Sequence, residues 1–246
     1  MRVLHVEAGR HLYGGARQVL YLLEGLAQRG VTNGLICRAG SEIAVDAAPF
    51  AQVFAMDMGG DLDLALIPAI YRKIRQFGPD VLHLHSRRGA DVLGGIAGRL
   101  AGVRVIHSRR VDNPEPSWRV KLKYRLYDRV IAISEGIGAV LLAAGLPPDK
   151  LRVVRSAVDF QAFGGPRDRE ILRQRLGVPL DGPVIGVVAQ LIARKGHRFL
   201  LQALPPLVAE FPTLRVLLFG KGPEAASLEG SLAAAGLSDR VRLCGF

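Results

Sequence analysis

Short runs rich in β-branched and leucine residues alternate with longer runs of helical spacing, and the series is laid out twice. The first series has strand-like segments at 3–6, 35–37, 53–55, 81–84, 104–107, 130–133 and 152–154. The second restarts with segments at 184–189, 215–219 and 241–244. Helical spacing predicts helices at 16–29, 62–77, 90–101, 134–144, 168–176, 196–211 and 224–235. Gly30, Gly78-Pro79, Gly102 and Gly145 supply stops, and Ser134 with Glu135 supplies a capped start. Strands that alternate with helices build βαβ units, so the fold class is α/β with mostly parallel sheets in two Rossmann-like domains. The glycine-rich stretch Phe163-Gly164-Gly165-Pro166 separates the two series. The expected organisation is a first domain at 1–158, a linker at 159–167 and a partial second domain at 168–246. The second series stops on Gly245-Phe246, directly after a strand, so a C-terminal truncation is expected.

Composition agrees with buried parallel strands. Of the 246 residues 49% are apolar, and mean hydropathy is +0.22. Strands buried on both faces read as near-continuous apolar runs. No apolar run approaches the ~20 residues of a membrane span. Met1-Arg2-Val3-Leu4-His5-Val6-Glu7 reads as a strand rather than a signal peptide, because the apolar stretch is brief and ends in an acid. Cys37 and Cys244 lie far apart in strand-like segments, which suits small core residues in a reducing cytoplasm.

Net charge is +11, which draws anionic small ligands or an anionic membrane surface. No helix-turn-helix, RNP or zinc-finger pattern occurs, so nucleic acid is not an expected partner. Trp118, Val120, Leu122, Tyr124 and Leu126 alternate with Arg119, Lys121, Lys123 and Arg125. That alternation reads as a strand. The preceding Asn113-Pro114-Glu115-Pro116-Ser117 reads as a helix entry with Ser117 as cap, and helix is preferred. The basic side is either a solvated face or a patch on anionic lipid with Trp118 at the interface.

Several loops carry chemistry. Tyr13-Gly14-Gly15-Ala16-Arg17 follows the first strand. Arg194-Lys195-Gly196 follows the strand at 184–189, and Phe219-Gly220-Lys221-Gly222-Pro223-Glu224 comes later. Glycines let backbone N–H groups approach an anion, and lysine adds a point charge. Gly220 to Ala225 also fits G-x-G-x-x-[GA]. It sits on the second βα unit of its series, no acid stands ~20 residues on, and Pro223 crowds the approach, all of which disfavours a dinucleotide. His83-Leu84-His85-Ser86-Arg87-Arg88 and Ile106-His107-Ser108-Arg109-Arg110 end two neighbouring strands, where open α/β sheets bind ligands. His83 and His85 share a strand face, but no third metal ligand is evident, so no metal is expected. No G-x-S-x-G, P-loop or H-E-x-x-H occurs.

In order along the chain, these pieces resemble the retaining GT-B glycosyltransferases of family 4. Gly14-Gly15-Ala16 resembles the family's first glycine loop. Asp80-Val81-Leu82-His83-Leu84-His85 resembles its D-x-x-H-x-H strand end, and Asp128 to Ser134 its "aDrviavS" segment. Val153 to Phe163 lies over "viPNGVDxxxF", with Ser156-Ala157 in place of Asn-Gly. Val188-Ala189-Gln190-Leu191 through Lys195-Gly196 lies over "vGRLxxxKG", with Gln190 in place of arginine. Phe219 to Pro223 lies over "vGxGP", and Val241 to Phe246 over "VxFxGf". The family's E-x7-E element has no counterpart before Phe246.

The resemblance implies a glycosyltransferase that moves a sugar from a nucleotide diphosphate-sugar to an acceptor with retention. The acceptor would be an envelope polysaccharide, lipopolysaccharide or glycolipid. The implied location is cytoplasmic, with peripheral contact at the inner face of the cell membrane. His85 is the implied catalytic residue. Gly14, Gly15, Gln190, Arg194, Lys195, Gly220 and Gly222 are implied on the donor, and Arg87, Ser108 and Arg109 on the acceptor side. Lys195 would neutralise the leaving diphosphate without a metal. A non-catalytic nucleotide-sugar binding subunit, a nucleotide-sugar epimerase and a nicotinamide-dependent oxidoreductase are the alternatives.

Overall fold

The computed structural model describes residues 1–85, 89–165 and 167–245. The chain forms two compact units, Met1–Asp159 and Phe160–Phe246.

In the first unit the elements run β1 (Arg2–Glu7), α1 (Gly14–Ala27), β2 (Thr32–Arg38), α2 (Glu42–Asp46), β3 (Gln52–Met56) and α3 (Leu66–Phe77). They continue with β4 (Val81–Leu84), α4 (Ala90–Leu100), β5 (Arg104–Arg109), α5 (Ser117–Lys123), β6 (Arg129–Ala132), α6 (Glu135–Ala143) and β7 (Leu151–Val153). The strands make one parallel sheet in the order β3-β2-β1-β4-β5-β6-β7. Strand order reverses between β1 and β4. Open α/β sheets bind ligands outside the carboxyl ends at such a switch.

Alternation along each strand sorts the core into two layers. Leu4, Val6, Leu82, Leu84 and Val105 pack with Ile70 and Ile74 of α3 and Leu93 of α4. Leu35 and Cys37 pack with Val19, Leu20 and Leu23 of α1. The register sets His5 beside Leu35 and His83, so these imidazoles lie on the α1 face. Leu84 pairs with His107, which therefore lies on the opposite face.

The local expectations meet the structure with a few differences. Helix α1 begins earlier than expected, at Gly14, and α3 later, at Leu66. The short α2 has no strong periodicity and was not expected. Helix α5 forms at the ambiguous segment, but Pro116 is its N-cap and Ser117 its first residue. Ser134 caps α6, accepting from Ile137 N at 3.2 Å.

In the second unit, α7 (Phe160–Phe163) is one turn inside the expected linker. Then come α8 (Arg169–Leu176), β8 (Val184–Val188), α9 (His197–Glu210), β9 (Arg215–Phe219), α10 (Ala225–Ala234) and β10 (Val241–Gly245). Asp168 caps α8 through Oδ1, which accepts from Glu170 N and Ile171 N. The described strands form a parallel sheet, β10-β9-β8, over a leucine-rich core that includes Leu201, Leu204, Leu218 and Leu228.

Candidate active site

The carboxyl ends of β1, β4 and β5 open into a cavity of about 490 Å³. Glu7, Arg10, Tyr13, Gly15, His85, His107, Ser108, Arg109 and Arg110 are among its walls. The N-terminus of α1 also reaches it. The first N–H groups of a helix lack intrahelical partners and carry the positive end of its dipole, so they favour an anion. At Gly14 an added Cβ would meet nothing within 4 Å, and at Gly15 only Arg110 Cδ, at 3.7 Å. These glycines leave room at the helix start; their own backbone does not need them.

A relay of buried groups runs from this cavity into the sheet. Arg110 Nη2 lies 3.4 Å from His85 Nδ1, and His85 Nε2 lies 2.9 Å from His5 Nδ1. A guanidinium only donates, so Nδ1 of His85 accepts and its Nε2–H donates to His5. The proton of His5 then sits on Nε2, which meets no hydrogen-bond partner among the described residues. Nearby, Asn33 spends its amide protons on the carbonyls of Leu23 and Phe50, and its buried oxygen also has no partner among the described residues. Burial holds all three imidazoles of the cluster neutral. It lowers His5 to about 4, against a partial rise from the nearby Asn33 side chain. Burial first, and neighbouring charges second, hold His83 and His85 well below the usual histidine range. Glu7, also at the cavity, is pushed up by burial, partly offset by its bond from Gly9 N and by Arg110.

The donor atoms of His5, His83 and His85 lie within 4.8 Å of one another. Such imidazoles suit zinc or a related metal. Here the facing nitrogens of His5 and His85 already bond each other, and the Arg110 cation beside His85 opposes a second one. Sequence reasoning found no third ligand because His5 comes from β1, far away in the chain. The signal was a lone histidine flanked by the apolar Val3, Leu4 and Val6 of its strand.

Two of the expected acceptor-side residues are not free. Arg109 is almost fully buried; it donates to the carbonyls of Val111 and Asn113 and pairs with Glu115 at 3.2 Å. Its guanidinium shapes the loop after β5, and the residue still lines the cavity. Ser108 bonds His83 Nε2 through Oγ at 2.9 Å, while still reaching the cavity wall. Arg87 lies outside the described residues. Lys123 is not on a solvated basic face either. It is buried, 2.7 Å from Asp91 and 3.4 Å from Glu115. His107 stacks on Tyr127 with centroids 4.7 Å apart. Burial, aided by Lys123, lowers it to about 3.

In the second unit, Arg194 and Lys195 are exposed on a 3-10 turn (Ala193–Lys195) that leads into α9. Gln190 is half-buried, and its carbonyl lies 3.0 Å from His197 Nε2. Gly220 and Gly222 sit where two loops meet. A Cβ at Gly220 would collide with the carbonyl oxygen of Ala189, and one at Gly222 with that of Leu191. Leu191 N donates to Lys221 O, and Glu224 N to Leu191 O. These glycines let the loops after β8 and β9 lie backbone to backbone, which seats the turn that carries Lys195.

The family model for Glycosyltransferase Family 4 matches residues 13–162, more than half of the chain. The chain belongs to glycosyltransferase family 4. Residues 168–246 match the family Glycosyl transferases group 1. Among curated relatives, a 2-deoxystreptamine glucosyltransferase of Streptomyces kanamyceticus is 32% identical over 67% of this chain and 47% of its own length. The lipopolysaccharide core biosynthesis glycosyltransferase LpsE of Rhizobium meliloti is 28% identical over 100% of this chain and 67% of its own. A solved structure of HepE from Anabaena in complex with UDP matches with a TM-score of 0.81 at 20% identity, over 100% of this chain and 69% of that one. A glycosyltransferase from Rickettsia africae matches at 0.82 and 19%, over 99% and 68%. At such identities the likeness is one of fold, the GT-B fold. This family 4 chain thus spans from 47% to 67% of the length of the curated relatives named.

Proposed function

We propose that this family 4 protein transfers a glycosyl group, with retention, from a nucleotide diphosphate-sugar to an envelope polysaccharide, lipopolysaccharide or glycolipid. The observation that carries the reading is the cavity at the β1–β4 switch point, where the α1 N-terminus, Arg110 and the neutral His85 converge. The names of similar proteins support it: HepE was solved with UDP and with UDP-glucose, and LpsE is named for lipopolysaccharide core biosynthesis.

In this reading Lys195 and Arg194 neutralise the leaving diphosphate, and Gln190 lies beside them. Gly220 and Gly222 hold that turn in place. Gly14 and Gly15 leave the α1 N–H groups open to the phosphate side. His85 is the catalytic residue, contacting the transferring sugar, with its proton held on Nε2 by Arg110. Ser108 faces the acceptor side. Leaving-group charge stabilised by fixed donors is the largest catalytic term available without a metal. The protein works on the cytoplasmic side and touches the membrane through α5. Among the described residues no helix is long and apolar enough to cross a membrane.

Two measurements test this. A thermal-shift screen of the full-length protein against UDP-, GDP- and ADP-sugars should give a hit, because ligand binding raises apparent stability by mass action. Lys195→Ala should then weaken the hit donor about tenfold or more in calorimetry, since it removes a charge-assisted contact. Unchanged affinity would remove Lys195 from the donor site. The absence of any nucleotide-sugar shift would sink the donor reading itself.

A further inference from the structure

Helix α5 and the 3-10 turn that follows it (Tyr124–Leu126) divide their side chains sharply. Val120, Lys123 and Tyr124 are buried, while Trp118 and Leu122 are 68% and 61% exposed. Residues four apart stack on one helix face, so this indole and this leucine form one apolar outer ridge. Beside the ridge lies a cavity of about 230 Å³, with Lys121, Arg125 and Lys150 on its rim and Val120, Tyr124 and Leu146 among its walls. Pockets for drug-sized ligands run from about 300 to 1,000 Å³, so this one suits a smaller group.

Charge around α5 is segregated. Among the described residues no carboxylate lines this cavity. Lys150 Nζ donates to the carbonyls of Tyr124 and Tyr127 at 3.2 and 2.8 Å, which fixes its ammonium there. An ammonium has three donors, so one remains for a ligand. On the other side of α5, Arg119 and Lys123 share a cavity with Asp61, Asp91 and Glu115. Among the described residues, the cavity on the side next to the apolar ridge is therefore lined by cations and the one on the other side by both signs. A soluble anion would use the cations and leave Trp118 and Leu122 in water. A phospholipid uses both.

We infer that the cavity beside α5 binds the phosphate of an anionic phospholipid headgroup, with Trp118 and Leu122 set into the bilayer interface. Lys121 and Arg125 meet the phosphate, and Lys150 closes the inner side. This deepens the membrane contact within the proposed function and rests on it. It is independent of donor chemistry.

Trp118 is the only tryptophan of the sequence, so its emission reports on α5 directly. The full chain is titrated with vesicles of phosphatidylcholine containing phosphatidylglycerol, and with phosphatidylcholine alone. Binding and a blue shift of Trp118 are expected only with phosphatidylglycerol. K121Q/R125Q should weaken binding about tenfold or more, because each cation near an anionic surface contributes separately. R72Q/R75Q removes the same charge from exposed positions on α3 and should cost less than about threefold by the same rule. All of these side chains are exposed, and far-UV circular dichroism checks that both variants are folded. If K121Q/R125Q loses no more than R72Q/R75Q, the cavity is not the site and only bulk charge acts. Equal binding to phosphatidylcholine alone overturns the anionic headgroup. If no vesicle binds, the membrane contact falls and this site with it, while the glycosyl-transfer reading stands.

Discussion

At the scale of single residues, burial decides the state of the histidines. An unfolded imidazole takes a proton near pH 6.5. In the folded chain His5 resists protonation down to about 4 and His107 to about 3. Between pH 6.5 and those values the unfolded state binds more protons. The stabilisation is therefore fully present above pH 6.5 and is lost as the pH falls through that window, at up to about 1.4 kcal/mol per pH unit for each group. Glu7, raised by burial, acts in the opposite sense, since its native form holds a proton more readily. Urea unfolding at pH 7.5 and at pH 5.0 should show a lower midpoint at the acidic value. His107→Gln removes one titrating group, so the gap between the two midpoints should narrow. An unchanged gap would mean that His107 does not titrate as its burial requires.

At the scale of elements, glycines of similar appearance differ in role. Gly220 and Gly222 occupy contacts that no Cβ can enter, and Gly220 also has φ +154°. Gly220→Ala or Gly222→Ala should each destabilise the second unit by about 1–3 kcal/mol, through backbone strain and overpacking. Gly14→Ala adds its methyl into open space and should leave denaturant midpoints unchanged while weakening anion binding at the α1 N-terminus. If all three variants unfold at the same denaturant concentration, the backbone-to-backbone packing of the β8 and β9 loops is wrong. The α6 cap gives a smaller, separate effect: Ser134→Ala should cost about 1 kcal/mol, as other serine caps do.

At the scale of the whole molecule, the two units differ in how well their sheets are covered. In the first, β1, β4 and β5 each have a neighbour on both sides and helices over both faces. Among the described residues of the second, β8 has a strand neighbour on one side only and Val188 is 86% exposed. Strand edges with unpaired backbone groups open at low free-energy cost. Hydrogen exchange on this chain should therefore show stronger protection in β1, β4 and β5 than in β8 and β10. Equal protection across both units would show that the second sheet is as stable as the first.

Much of this was legible in the chain alone, because it depends on near neighbours. The alternation of strand and helix is a local periodicity, and the structure follows it closely, from Val81–Leu84 to the capped start at Ser134. His85, Ser108 and Arg110 could be read as strand-end residues, since such ends face ligands in parallel sheets. Helix α5 was harder, because its strict apolar–basic alternation imitates a strand. Burying Val120 and Tyr124 against the core settled it, a tertiary gain that outweighs the pattern. What the chain could not show is which strands lie side by side. The order β2-β1-β4 brings His5 to His85, and the register sends His107 and Arg109 to the opposite face. The same packing turns Arg109 and Lys123 inward onto Glu115 and Asp91. Strand order and register are contacts between residues far apart in sequence. No local period encodes them, so the relay and the buried ion pairs exist only once the sheet has closed.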